Sequence, residues 1–162
     1  MSVGDTETGT VVICGSMKNL ELMTKVGETL ESAGLNVVTP VPDEPLGSWS
    51  AEAYRAMKRE ASRRHMGHIR NRGTAAILVV NVDRSDANNY VGPNSFAEIS
   101  VAFAHDRRVF LLQGMPECYA DELVAWGVEC LHGELARLVR DLGGRQEVDW
   151  SRWHDVYRYS VA

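Results

Sequence analysis

The sequence predicts an α/β three-layer sandwich built on a five-stranded, mainly parallel sheet. Three observations carry this expectation. Short apolar runs alternate with amphipathic segments of helix length along the chain. The run AAILVVNV, residues 75–82, is continuous and apolar, as a central parallel strand covered on both faces requires. Turn formers mark the joints, with Gly15 and Gly34 at segment ends and Pro40, Pro42 and Pro45 in one interruption.

Taken in order, residues 11–14 form a short apolar run that reads as a buried strand. Gly15 and Ser16 then turn the chain into a helix over residues 18–32. Leu20, Met23, Val26, Gly27 and Leu30 are its inner stripe, and Gly34 stops it. Residues 36–39 form a second strand, followed by the proline-rich loop. Ser50 is placed to cap a long helix running to about Arg70. The central strand, 75–82, follows. A polar loop then leads into a helix that begins near residues 92–94. Phe96, Ile99 and Phe103 are expected on the core side of that helix, with Ser95, Glu98, Ala102 and His105 on a second face. Residues 108–112 read as another strand, 117–126 and 132–142 as helices, and 128–130 as a short edge strand. The organisation is a flexible lead over residues 1–9, one domain over 10–146, and an aromatic tail over 147–162 that packs on the body or on a second subunit.

The 162 residues favour one domain with a substantial core. A net charge of −5 argues against a general nucleic-acid binder. No run approaches the roughly 20 apolar residues of a membrane span. The polar, acidic start MSVGDTETGT lacks the basic and apolar regions of a signal peptide, so a cytoplasmic protein is expected. Cys14, Cys118 and Cys130 are odd in number and show no CxxC spacing, which predicts buried free thiols.

Open parallel sheets bind ligands beyond the carboxyl ends of their strands, where the strand order reverses. That rule selects Gly15-Ser16-Met17-Lys18, the loop from Asn81 to Asn94, and the loop from Gln113 to Cys118. The Gly15-Ser16 turn is either a site where backbone approaches an anion or an ordinary tight turn. It is neither GxGxxG nor a Walker loop, so no dinucleotide or nucleoside triphosphate is indicated. Glu98 sits in the early turns of its helix, where the dipole favours the ionised form. An ionised carboxylate suits a nucleophile or an acceptor of sugar hydroxyls, and the alternative is a solvated surface Glu. The loop carrying Asn81, Asp83, Asp86, Asn88, Asn89, Tyr90 and Asn94 suits hydrogen bonding to a sugar or a base, and equally suits turn formation. It lacks the calcium-loop pattern.

The helix over residues 50–70 gathers Arg55, Lys58, Arg59, Arg63, Arg64 and Arg70 in an acidic chain. It is either a phosphate-attracting patch or a solvated face. His65 and His68 are not a zinc pair by spacing, because the sequence suggests no third ligand. Trp49 and Tyr54 either stack on a base or anchor the loop. No metal and no organic cofactor is expected.

The blocks VVICGSMKN, HIRNRGTAAILVVNVD and YVGPNSFAEISVAFAHDRRVFLL, in that order, resemble the nucleoside 2-deoxyribosyltransferase superfamily, in its nucleoside 5'-monophosphate N-glycosidase-like branch. The resemblance covers roughly residues 11–117. It implies a flavodoxin/Rossmann-like fold and a small-molecule nucleoside or nucleotide substrate. It also implies a homodimer or higher homo-oligomer, and no cofactor. Gly15 and Ser16 match the family turn that holds the sugar or its 5'-phosphate, with Met17 within the same turn and Lys18 where members often have a basic residue. Glu98 matches the family nucleophile, which attacks the anomeric carbon or stabilises the developing oxocarbenium. Asn81, Tyr90, Gly92, Asn94 and Ser95 are the further substrate-binding candidates. Many members carry an Asp on the preceding helix. His68 occupies about that position here, so His68 or Asp83 is expected to serve the leaving base.

The implied function is hydrolysis of the N-glycosidic bond of a nucleoside 5'-monophosphate. The alternatives are base exchange by a deoxyribosyltransferase, a nucleotide-binding or sensor module without turnover, and cleavage of the same bond in NAD or another nucleotide derivative.

Overall fold

A computed structural model describes residues 8–42, 47 and 49–162. The five strands are β1 (Thr10–Gly15), β2 (Val37–Val38), β3 (Thr74–Val80), β4 (Arg108–Leu111) and β5 (Glu129–Cys130). All pair in parallel, in the order β2-β1-β3-β4-β5. The fold is therefore the expected α/β sandwich, with the flavodoxin-like strand order and its reversal point between β1 and β3. β3 lies at the centre, and its last five residues are all buried. This is why its sequence carries no polar alternation.

Side chains on a strand alternate between faces, and the two halves of the core follow that period. Val11 and Ile13 of β1 join one cluster, and Val12 and Cys14 join the other. The first cluster is covered by α1 (Leu20–Ser32), α5 (Leu135–Asp141) and α6 (Trp150–Val161). The second is covered by α2 (Ala51–Arg70), α3 (Pro93–Ala104) and α4 (Ala120–Ala125).

The helix ends follow local chemistry. The Ser50 hydroxyl accepts the Ala53 N–H at 3.1 Å and caps α2. Gly34 closes α1 at φ +81°, while the Leu35 N–H reaches the Leu30 carbonyl at 3.2 Å. Gly127 closes α4 in the same way at φ +72°. Both are left-handed stops that favour glycine. At the end of α3 the same position is held by Asp106, at φ +57°.

Several elements are shorter than their sequence pattern predicts. Residues 132 and 133 precede α5 in left-handed conformations. The expected helix over 117–126 starts only at Ala120, because Tyr119 before it is left-handed at φ +66°. Phe103 does not face the core. It is 45% exposed and stacks on Trp126 at 5.0 Å between centroids, while Phe96 lies between Tyr119 and Trp126. The buried stripe of α3 is instead Ser95, Ile99 and Ala102. Cys14 is buried as expected, but Cys118 is exposed and Cys130 half-buried, and all three thiols are free.

The tail packs on the body. Trp153 of α6 is 2% exposed and its indole N–H donates to the Gly133 carbonyl at 2.8 Å. The expected flexible lead falls mostly on residues outside the described ones, as does part of the proline-rich loop. Among the described residues, no helix is long and apolar enough to cross a membrane.

Candidate functional site

β1 ends at the reversal point of the sheet, and Cys14 is its penultimate residue. The period-two alternation sends the Cys14 side chain to the face covered by α2 and α3. α3 presents Glu98 to the same place from its second turn. α2 presents His65, the last member of a half-buried stripe of Tyr54, Met57, Ala61 and His65 at helical spacing. The three groups meet. His65 Nε2 lies 3.4 Å from Cys14 Sγ and 3.6 Å from Glu98 Oε2. The three contacting atoms all fall within 4.8 Å of one another.

The position of α2 is set at its C-terminal end. The Arg107 guanidinium, from the α3–β4 turn, donates to the carbonyls of Ile69, Arg70 and Asn71 at 3.0–3.2 Å. The Thr74 hydroxyl donates to the His68 carbonyl at 2.6 Å. These bonds satisfy carbonyls that a helix end leaves orphaned. They fix the last turn of α2, one turn beyond His65, to the α3–β4 turn and the start of β3.

Burial dominates the electrostatics. The side chains of Glu98 and His65 are each 17% exposed. Glu98 Oε2 is fully buried and has no hydrogen-bond partner. Loss of water pushes the Glu98 carboxyl up to about 7, against a smaller opposing pull from the Cys14 thiol. The expectation that the helix dipole keeps Glu98 ionised is therefore corrected, because desolvation outweighs the dipole in the second turn of α3. Burial, with a smaller push from His68, lowers His65 below the ordinary histidine value. Burial, reinforced by the neighbouring Glu98, holds the Cys14 thiol well above its usual range. Burial thus disfavours charge on both groups, raising the carboxyl and lowering the imidazole toward one another's range.

The remaining sequence-predicted residues divide into two sets. Gly15 ends β1, where a Cβ would press within 3.2 Å of the Val80 carbonyl. Ser16, Met17 and Lys18 follow it in an exposed 3-10 turn, and the Ser16 hydroxyl accepts the Lys18 N–H at 3.3 Å. Gly92 precedes α3, Asn94 stands exposed in its first turn, and Ser95 is buried.

Asn81 is consumed by the framework. It is buried, its amide donates to the carbonyls of Asn89 and Gly114, and its oxygen accepts the Gln113 N–H. Asp83 accepts the Asn89 N–H at 2.7 Å, which folds the loop back on itself. Tyr90 lies beneath the Arg84 guanidinium at 4.3 Å. His68 is exposed, and the histidine brought to Glu98 is His65.

His65 and Cys14 are the site residues that sequence reasoning did not single out for chemistry. A signal for His65 was present in the helical spacing from Tyr54. The meeting of Cys14 with two residues 51 and 84 positions away carries no local signal. The grooves along α6, one lined by Ser32, Asp149, Arg152 and Trp153, belong to the other face of the sheet.

Fold and geometry together define an α/β sandwich with a buried carboxylate–imidazole–thiol cluster beside the reversal point. The chain matches no protein-family model, no curated protein and no solved structure.

Proposed function

We propose that the chain hydrolyses the N-glycosidic bond of a nucleoside 5'-monophosphate, with Glu98 as nucleophile. The observation that carries this reading is the buried, unpartnered Glu98 oxygen beside the carboxyl end of β1. A carboxylate without a neutralising partner is held in reserve for a developing cation, here the sugar oxocarbenium. Glu98 gives its proton to His65, 3.6 Å away, and the carboxylate oxygen bonds to the anomeric carbon as the C–N bond breaks. The proton on His65 goes to the departing base. Water then cleaves the glycosyl ester, releases the sugar phosphate and restores Glu98.

The exposed Ser16 hydroxyl and Lys18 ammonium hold the phosphate, and Asn94 positions the sugar. The role expected of His68 or Asp83 passes to His65.

A second reading, a nucleotide-binding module without turnover, is favoured by one observation. Among the described residues, Glu98 meets a histidine and a thiol and no Asp, whereas many members of the resembled superfamily carry an Asp on the preceding helix. The purified protein, incubated with ribo- and deoxyribonucleosides and their 5'-monophosphates, tests both. Free base is separated by chromatography, with Glu98→Ala alongside. Base released from a monophosphate by the wild type and lost in Glu98→Ala supports hydrolysis. Release only with an added acceptor base identifies a transferase. Binding of a monophosphate without release of base leaves the binding module.

A further inference from the structure

We propose that Cys14, His65 and Glu98 form a three-ligand site for a zinc-like divalent transition-metal ion, with a fourth position open. Tetrahedral zinc with one sulfur, one nitrogen and one oxygen ligand has ligand–ligand edges of about 3.3–3.6 Å. The His65 Nε2 edges to Cys14 Sγ and Glu98 Oε2 are 3.4 and 3.6 Å. The third atom pair lies within the 4.8 Å that encloses the cluster. Three elements of the fold supply one ligand each, which is how a rigid site holds a metal rather than a flexible loop.

The donor set also selects the ion. Thiolate and imidazole favour zinc, cobalt and copper over magnesium and calcium, and a single carboxylate is a common addition. The buried Glu98 oxygen is an independent sign, since it has lost its water and no N–H or O–H replaces it. A cation would satisfy that oxygen, the imidazole and the thiol together. Binding is balanced by release of the Cys14 proton, and of the Glu98 proton where present, to solvent. Partial exposure of the Glu98 and His65 side chains leaves a path for the ion.

The site itself stands on geometry. Its consequence for turnover rests on the N-glycosidase reading, since a metal on Glu98 draws charge out of the carboxylate and occupies the His65 nitrogen that would carry the proton to the base. An occupied site therefore silences that reaction, and removal of the metal restores it.

The test is a titration of the full, reduced, chelator-treated chain with cobalt(II) chloride, followed by absorption spectroscopy. One equivalent should produce the visible bands of tetrahedral cobalt with a near-ultraviolet thiolate charge-transfer band, and zinc should displace both. Cys14→Ser should abolish the charge-transfer band. His65→Ala and Glu98→Gln should weaken cobalt affinity at least ~tenfold. The Cys118→Ser/Cys130→Ser double variant should keep the full spectrum. Absence of the bands in the wild type overturns the site, as does their persistence in Cys14→Ser or their loss in the double variant. If Cys14→Ser does not fold, Glu98→Gln decides, and unchanged affinity there overturns the assignment. Cobalt bands, with no base released from any monophosphate by the metal-free chain, keep the site and sink the N-glycosidase reading. Base release without cobalt bands does the reverse.

Discussion

Burying a carboxylate without a hydrogen-bonded partner costs stability, and at Glu98 that cost depends on pH. The carboxyl is raised to about 7 in the fold, against an ordinary value near 4.5. The folded state therefore holds this proton more tightly than the unfolded chain. The contribution is unpenalised below the unfolded value and is lost as pH rises from about 4.5 through about 7. Glu98→Gln cannot ionise and escapes this loss. In the metal-free protein its stability relative to wild type should increase by roughly 2.5 kcal/mol between pH 5 and pH 8. Urea unfolding at the two pH values measures this directly. An equal gap at both values would refute desolvation as the dominant influence on Glu98. Sequence reasoning located this residue on its helix. It misjudged the charge state, because spacing shows where a side chain starts and not how much water it keeps.

Among the elements, α2 matters most to the site, because it carries His65 and is mostly solvated along its length. Only Ile69 of its 20 residues is fully buried. Packing alone therefore holds it weakly, and the polar anchors at its C-terminal end carry more weight. Arg107 provides three of them, to Ile69, Arg70 and Asn71. Arg107→Ala should destabilise the protein by about 2 kcal/mol, since it leaves helix-end carbonyls without their donor. Arg107→Lys should recover only part of this, because an ammonium lacks the planar fork that reaches several carbonyls at once. Denaturant midpoints of the three proteins provide the comparison. A loss below about 0.5 kcal/mol for Arg107→Ala would mean that solvent replaces the anchors. The basic character of α2 was plain in the sequence. Its tether to the α3–β4 turn was not, since Arg107 lies 36 to 38 positions from its acceptors.

For the whole molecule, α6 completes the core on the face of the sheet opposite the candidate site. Trp153 is the largest fully buried side chain, and it joins the cluster formed by α1, α5 and the strands. Its indole N–H also satisfies the Gly133 carbonyl. Gly133 is left-handed at φ +82°, and a Cβ there would overlap the Tyr157 ring, so α6 and this turn fit only as a pair. Trp153→Ala should cost about 3–5 kcal/mol through the cavity and the lost contacts. Trp153→Phe should cost less, chiefly through the unsatisfied carbonyl. Thermal and urea unfolding would establish the order, and a smaller loss for Ala than for Phe would contradict this packing. Because Trp153 and Glu98 lie on opposite faces, both variants that fold should retain cobalt binding.

The sequence by itself determined the architecture. Alternating apolar strands and amphipathic helices, with a continuous run at residues 75–82, lead to a parallel sheet whatever the distant contacts. Backbone hydrogen bonding and burial act over a few residues at a time, and their periods are written locally. It also pointed to the carboxyl ends of the strands as candidate ligand positions, because element order fixes where the strands end. The tertiary structure alone decided which side chains meet there. Cys14, His65 and Glu98 come from three elements far apart in the chain, and their approach depends on helix rotation and on anchors such as Arg107. It likewise decided that Asn81 is a staple of the loop and that Phe103 faces outward. A helix with two apolar stripes does not reveal which one meets the sheet. Desolvation, which sets the acidity of Glu98, depends on every neighbour at once, and therefore exists only once the chain has folded.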